Sequence, residues 1–185
     1  MSQAARTRMT MAEFLEWEEQ QEGKYEFDGY GIVAMNGGTV AHSVICTNVV
    51  VALQNRLRGK SCRAHGGELK IEVAGSIRYP DAFVVCTPVA QTASLVKLPV
   101  VVFEVLSPST ATVAFTEKHD EYRDTPSVMR YVILRQDRIH ATVFTRSGSG
   151  WSRDVLMDGE MLALSEIGIE IPMAEFYEDL VFTPA

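Results

Sequence analysis

Two carboxylates stand in this chain where carboxylates are costly. Asp81 closes Arg78-Tyr79-Pro80-Asp81 just ahead of Ala82-Phe83-Val84-Val85, and Glu104 lies inside Val100-Val101-Val102-Phe103-Glu104-Val105-Leu106. Such β-branched, apolar runs read as strands covered on both faces. An ionised side chain there is destabilising unless it is paired or bound to a cation. The stretch from Thr87 to Pro99 contains Thr87-Pro88 and Leu98-Pro99 and reads as a turn between two neighbouring strands, whose pairing would bring the two acids together. Carboxylate oxygens with coordination positions left for water and phosphate suit Mg²⁺ or Mn²⁺ better than Zn²⁺, and the chemistry implied is hydrolysis of a phosphate ester. The structural alternative stands beside this one. Asp81 after Pro80 also fits a turn former or N-cap, and structural ion pairs place acids in strands too. Glu104, with four apolar residues before it and two after, belongs to the interior of its strand.

The elements that must position these acids are legible in outline. Thr10 followed three residues later by Glu13 is a capping box, which predicts a helix from there to about Glu22. Tyr25 to Met35 reads as two short strands around Asp28-Gly29. Val44, Ile45, Val49, Val50, Leu53 and Leu57 fall on one helical stripe, predicting a long core helix over Val40 to Arg58 with Gly59 ending it. Strands are expected near Cys62 to His65, Glu68 to Val73, Tyr79 to Cys86 and Val100 to Leu106. A helix from about Phe115 to Asp124 follows, then strands at Arg130 to Arg135, Ile139 to Thr145 and Trp151 to Leu156. This order gives a mixed α/β layer arrangement. The apolar tail from Leu162 to Leu180 is expected to pack internally.

Composition narrows the function classes. At 185 residues without a Gly/Ser/Pro-rich linker the chain is expected to form one domain over residues 1–185, with residues 1–9 flexible. No apolar stretch approaches the roughly 20 residues of a membrane span, and the polar start lacks a signal-peptide core, so a cytoplasmic setting is expected. A net charge of −7 argues against coating nucleic acid through a broad basic surface, so any DNA contact must be local. Arg56, Arg58, Lys60 and Arg63, and again Arg123, Arg130 and Arg135, read as solvated faces. Three cysteines, Cys46, Cys62 and Cys86, with no CxxC spacing read as reduced, packed thiols. No GxGxxG, Walker A, GxSxG or HExxH pattern occurs.

Tyr25-Glu26-x-x-Gly29, Ala41-His42-Ser43, Arg78-Tyr79-Pro80-Asp81, Phe103-Glu104-Val105-Leu106-Ser107-Pro108-Ser109-Thr110, Glu117-Lys118 with Tyr122, and Tyr131-Val132-Ile133 resemble the Uma2 family, in order, from about Thr10 to Tyr177. The resemblance implies a restriction-endonuclease-like fold of the PD-(D/E)xK superfamily, a central mixed sheet flanked by helices, and metal-dependent cleavage of DNA phosphodiesters. It assigns the first acid to Asp81 and the second to Glu104. The third element departs from the plain pattern, since Leu106 stands where a lysine is usual. Lys118 is the candidate for the displaced charge, with Lys70 as its rival. Ala114 stands where relatives carry an aspartate ahead of the Glu-Lys pair.

Four further residues carry alternatives. Glu68 is a third ligand, a base or an exposed strand acid, and Lys70 follows it two residues on. Glu26 completes the metal site or pairs with Lys24. His42 contacts phosphate or metal, or serves as a local capping partner. Two other functions fit the same residues: a catalytically degenerate nuclease fold retained as a binding module, and a metal-dependent hydrolase of small phosphate esters. Cleavage of both DNA strands would favour a homodimer.

Overall fold

The structure, a computed structural model, describes residues 9–35, 37–106, 115–148 and 150–182. The expectation of flexibility at the N-terminus therefore falls largely outside it, as do Ser107 to Thr110 and Ala114. Helix α1 (Met11–Glu18) opens with the expected capping box, the Thr10 hydroxyl accepting from the Glu13 amide and the Glu13 carboxylate from the Thr10 amide. It stops four residues short of the expected end, because Glu19 to Glu22 offers no apolar side chain to bury. Strands β1 (Tyr25–Phe27) and β2 (Ile32–Ala34) form the hairpin, with Gly29 at φ +83° and Asp28 accepting from the amides of Tyr30 and Gly31. Helix α2 (Val40–Leu57) buries Ile45, Val49, Ala52, Leu53 and Leu57.

The remaining strands are β3 (Arg63–Gly66), β4 (Lys70–Val73), β5 (Ser76–Arg78), β6 (Ala82–Val85), β7 (Leu95–Val96), β8 (Pro99–Val105), β9 (Arg130–Leu134), β10 (His140–Ser147), β11 (Gly150–Met157), β12 (Met161–Leu164) and β13 (Ile169–Pro172). Helix α3 (Glu117–Asp124) lies between β8 and β9. The central six-stranded sheet runs β11-β10-β9-β8-β6-β3 and is antiparallel except for the parallel pair β8–β9. Parallel neighbours need a crossover, and the segment containing α3 supplies it. Along β8, Val101, Phe103 and Val105 belong to the core shared with α2, and Val102 to the core shared with Tyr122 of α3 and Tyr131 of β9. The C-terminal β12–β13 hairpin and the 3₁₀ turn Met173–Tyr177 add Leu162, Ile171 and Phe176 to the α2 side, so the apolar tail packs internally as expected.

A second sheet, β2-β1-β5-β4-β7, holds the entry hairpin. Strands β5 and β7 are too short to show a periodicity in sequence. The single strand expected over Tyr79 to Cys86 is instead a corner. Arg78 ends β5 in the smaller sheet and Ala82 begins β6 in the larger one. Pro80, which has no amide hydrogen to give a ladder, sits in the break. The expected mixed α/β fold, a central mixed sheet flanked by helices, is the one observed.

One expectation is corrected. Cys62 and Cys86 are joined in a disulfide, because the β3–β6 register that pairs Arg63 with Val85 sets them opposite each other. An odd cysteine count excludes only complete pairing, and Cys46 is left as the free thiol. Among the described residues no helix is long and apolar enough to cross a membrane.

Candidate active site

The β6–β8 ladder pairs Ala82 with Phe103, so one step further Asp81 lies across from Glu104. Asp81 Oδ2 accepts from the Val105 amide at 2.7 Å, which fixes the carboxylate at the head of β6. Glu104 shares the face of β8 on which the crossover helix packs. On α3, Lys118 and Tyr122 are one turn apart and therefore on one face. Both reach Glu104 Oε1, Lys118 Nζ at 2.9 Å and the Tyr122 hydroxyl at 3.0 Å. Leu106 follows Glu104 two residues on, and the ammonium beside this acid comes from Lys118 of α3.

The smaller sheet supplies the rest. Phe27 pairs with Ile77, and the next step sets Glu26 of β1 beside Arg78 of β5. Glu26 accepts from Lys118 at 3.1 Å, from Arg78 at 3.0 Å and from the Tyr79 amide at 3.0 Å. Arg78, 1 % exposed, also holds Glu121 of α3 through two bonds of 2.6 and 2.7 Å, and Ser76 donates to the same carboxylate. Lys118 thus bridges the two sheets, Glu26 on one and Glu104 on the other.

These charges do not cancel. Glu26, Asp81, Glu104 and Glu121 face Arg78 and Lys118, four acids against two permanent cations. Burial above all, with Asp81 and Glu26 adding to it, outweighs the pull of Lys118 and leaves the Glu104 carboxyl raised to about 7. Burial works against the charge on Lys118 too, but Glu104 and Glu26 outweigh it, and the ammonium is held more firmly than in water. Burial likewise raises Glu26, and here Lys118 and Arg78 win, so its carboxyl ends below the usual range. The deficit of positive charge therefore collects at Glu104 and Asp81. A divalent cation at that pair fits the donor chemistry and would neutralise it.

His42, in the first turn of α2, places Nε2 3.2 Å from Asp81 Oδ1, and the hydrogen bond to Asp81 raises the imidazole pKa. The structure brings Asp81, Glu104, Lys118, Glu26 and His42 into one neighbourhood. Glu26 pairs with Arg78 and Lys118, whereas Lys24 pairs with Glu68. Glu68 lies apart with a side chain 90 % exposed. Lys70 is turned toward α1, buried against Glu18, whose other oxygen accepts from Tyr79. Sequence gives Cys46 only the role of a packed thiol and gives Arg78 and Glu121 none, because their burial and pairing appear only in the fold. Cys46 has a base as its neighbour, since His42 Nδ1 is 3.4 Å from its sulfur. Burial and Asp81 raise that thiol far above its ordinary value, so it is no nucleophile.

Most of the arginines singled out in sequence are engaged locally: Arg56 with Glu175, Arg123 with Asp120 and Asp124, Arg130 with Glu166, and Arg135 with Asp137.

The comparisons agree with this frame. Over its length the fold matches the crystal structure of a nuclease, titled putative and belonging to DUF820, from Anabaena variabilis ATCC 29413, with a TM-score of 0.74 at 17 % identity. The match covers 91 % of this chain and 97 % of that one. In sequence the chain is 29 % identical over 179 residues to the uncharacterized protein slr1290 of Synechocystis sp. (strain ATCC 27184 / PCC 6803 / Kazusa), covering 95 % of this chain and 94 % of that protein. Residues 11–174 match the Uma2 family model, described as "Putative restriction endonuclease". With that match spanning both sheets, the corner at Asp81 and the crossover helix, the chain belongs to the Uma2 family.

Proposed function

We propose that this chain is a divalent-cation-dependent endonuclease, a single nuclease domain that hydrolyses DNA phosphodiester bonds with Mg²⁺ or Mn²⁺ at Asp81 and Glu104. The observation that carries the reading is the Asp81–Glu104 pair, brought across one ladder step, short of positive charge, and joined on one side by the Lys118 ammonium. When bound, the cation supplies Lewis-acid polarisation of a phosphate and acidification of water. The chain's own groups do the remainder. Val105 and His42 hold Asp81 in place, and Tyr122 and Lys118 hold Glu104. Lys118 stays protonated, so it offers charge to a phosphorane oxygen and does not act as a base. Arg78 and Glu26 keep that ammonium aimed at β8.

DNA is the substrate class this geometry favours. Asp81 and His42 side chains are about one-fifth exposed, which places Asp81 at an open edge where a polymer's phosphate can arrive, with Glu104 buried behind it. Two cavities, of about 400 and 280 Å³, are lined by β12–β13 residues and by the end of α2 with β3, away from the acids. With the arginines noted above already paired, contact with DNA is short-range and local. The expected cytoplasmic setting fits a DNA substrate, and a homodimer would cut both strands. The test is conversion of supercoiled plasmid to nicked circle. Wild type with Mg²⁺ or Mn²⁺ should nick, while wild type in chelator, Asp81→Ala and Glu104→Ala should not. Nicking by either variant at the wild-type rate overturns the assignment.

A further inference from the structure

Cys46 lies one turn beyond His42 on α2, on the same face, and that face meets the head of β6 where Asp81 begins the strand. The His42 Nε2 to Asp81 Oδ1 distance is 3.2 Å, the Cys46 Sγ to His42 Nε2 distance is 3.9 Å, and the three ligand atoms all lie within 4.8 Å of one another. Zinc–ligand bonds of about 2.0–2.3 Å at tetrahedral angles give edges of roughly 3.3–3.6 Å between ligands. The first two distances stand within a few tenths of an ångström of that spacing, and the third pair within about 1.3 Å of it. The room around the imidazole is specific to this loop. A Cβ at Gly38 would fall 2.9 Å from His42 Nδ1, so any larger residue there would displace the ring. All three residues are half-buried.

We propose that His42, Cys46 and Asp81 form a site for a thiophilic divalent cation, Zn²⁺ in the first instance, with the fourth position open to water. One nitrogen, one thiolate and one carboxylate are the donor set that zinc prefers and that Mg²⁺ does not, since Mg²⁺ takes oxygen. On binding, the Cys46 S–H bond breaks and His42 Nε2 gives up the hydrogen it shares with Asp81, the imidazole keeping its one hydrogen on Nδ1; sulfur–zinc and nitrogen–zinc bonds form, and the released protons leave to buffer. Asp81 belongs to both sets of donors. A zinc ion at this site withdraws Asp81 from the hard-cation site and so inhibits any Mg²⁺-dependent cleavage. That inhibition rests on the endonuclease reading; the binding does not.

Co²⁺ is the probe, because thiolate ligation gives an intense sulfur-to-cobalt charge-transfer absorption that oxygen and nitrogen ligands alone do not. Full-length wild type should show the band, one Zn²⁺ should bleach it, and Cys46→Ser should lack it. Cys46→Ser should weaken Zn²⁺ binding by at least about tenfold while leaving Mg²⁺ uptake and Mg²⁺-dependent nicking at wild-type values. Zn²⁺ should then inhibit nicking by wild type at concentrations that leave Cys46→Ser active. A wild-type cobalt complex without the band, or a band that persists in Cys46→Ser, overturns the site. A band without any Mg²⁺-dependent nicking upholds the site and overturns the endonuclease reading instead.

Discussion

Glu104 is placed at a cost to stability, and substituting it by glutamine should reveal that cost without any metal. Its carboxyl moves from an ordinary 4.5 to about 7 on folding. Because the folded pKa is the higher, the folded state holds this proton more tightly, and stability present below pH 4.5 is lost as pH rises to about 7. At about 1.4 kcal/mol per unit the loss is on the order of 3 kcal/mol. For a chain of this length that corresponds to roughly 6–12 °C in Tm. Glu104→Gln keeps an acceptor for Lys118 and Tyr122 but cannot ionise. Melting measured in chelator from pH 4.5 to 8.5 should give curves that coincide at the acid end and separate as pH rises, with the variant several degrees more stable at pH 8. His42, whose raised pKa makes its contribution vanish as pH rises through that pKa, is itself raised in part by Glu104, and Glu26, whose lowered pKa makes its contribution vanish as pH falls through that pKa, shares Lys118 with it. The difference therefore reports the ionisation of Glu104 together with its coupling to these two neighbours. A variant no more stable than wild type at pH 8, or a difference that does not change with pH, refutes the reasoning.

Further outcomes follow from the same contacts. Arg78→Met leaves Glu121 and part of Glu26 unpaired in the interior and should cost about 3–5 kcal/mol in urea unfolding. Lys118→Ala should destabilise by a comparable amount and abolish nicking, whereas Lys118→Arg should recover stability better than activity, since a fork does not replace a point charge between two carboxylates. Glu68→Ala, at an exposed side chain paired with Lys24, should change stability by less than about 0.5 kcal/mol and leave nicking intact. Thiol titration of denatured protein prepared without reductant should count Cys46 alone, and only after reduction Cys62 and Cys86 as well.

Sequence revealed the elements with strong periodic or capping signals. The Thr10 box, the α2 stripe and the apolar β8 run each depend on local chemistry repeated over many residues, and each stands where it was expected. Strands β5 and β7 carry their role in pairing partners far along the chain, which leaves no local trace. The two central acids were visible because a charge in an apolar run is anomalous by itself. What brings Lys118 to Glu104 is the parallel β8–β9 pairing, a topological fact that spacing alone could not give; only family resemblance pointed to that lysine. Arg78 and Glu121 escaped notice because each looks ordinary until its burial is known. Glu68 and Lys70 looked suitable because their segment reads as a strand neighbouring the acids, but Glu68 points to solvent beside Lys24 and Lys70 turns to Glu18. The disulfide was missed because an odd count of cysteines says nothing about which two face each other across a ladder.

Calorimetric titration of Mg²⁺ and Mn²⁺ into wild type, Asp81→Ala and Glu104→Ala tests the pair most directly. Folded wild type should take up the ion, with proton release near pH 7 as Glu104 ionises, and both variants should lose that uptake while remaining folded. A folded wild type that binds neither cation, or a variant that binds them as wild type does, contradicts the assignment of Asp81 and Glu104 as the cation-holding pair.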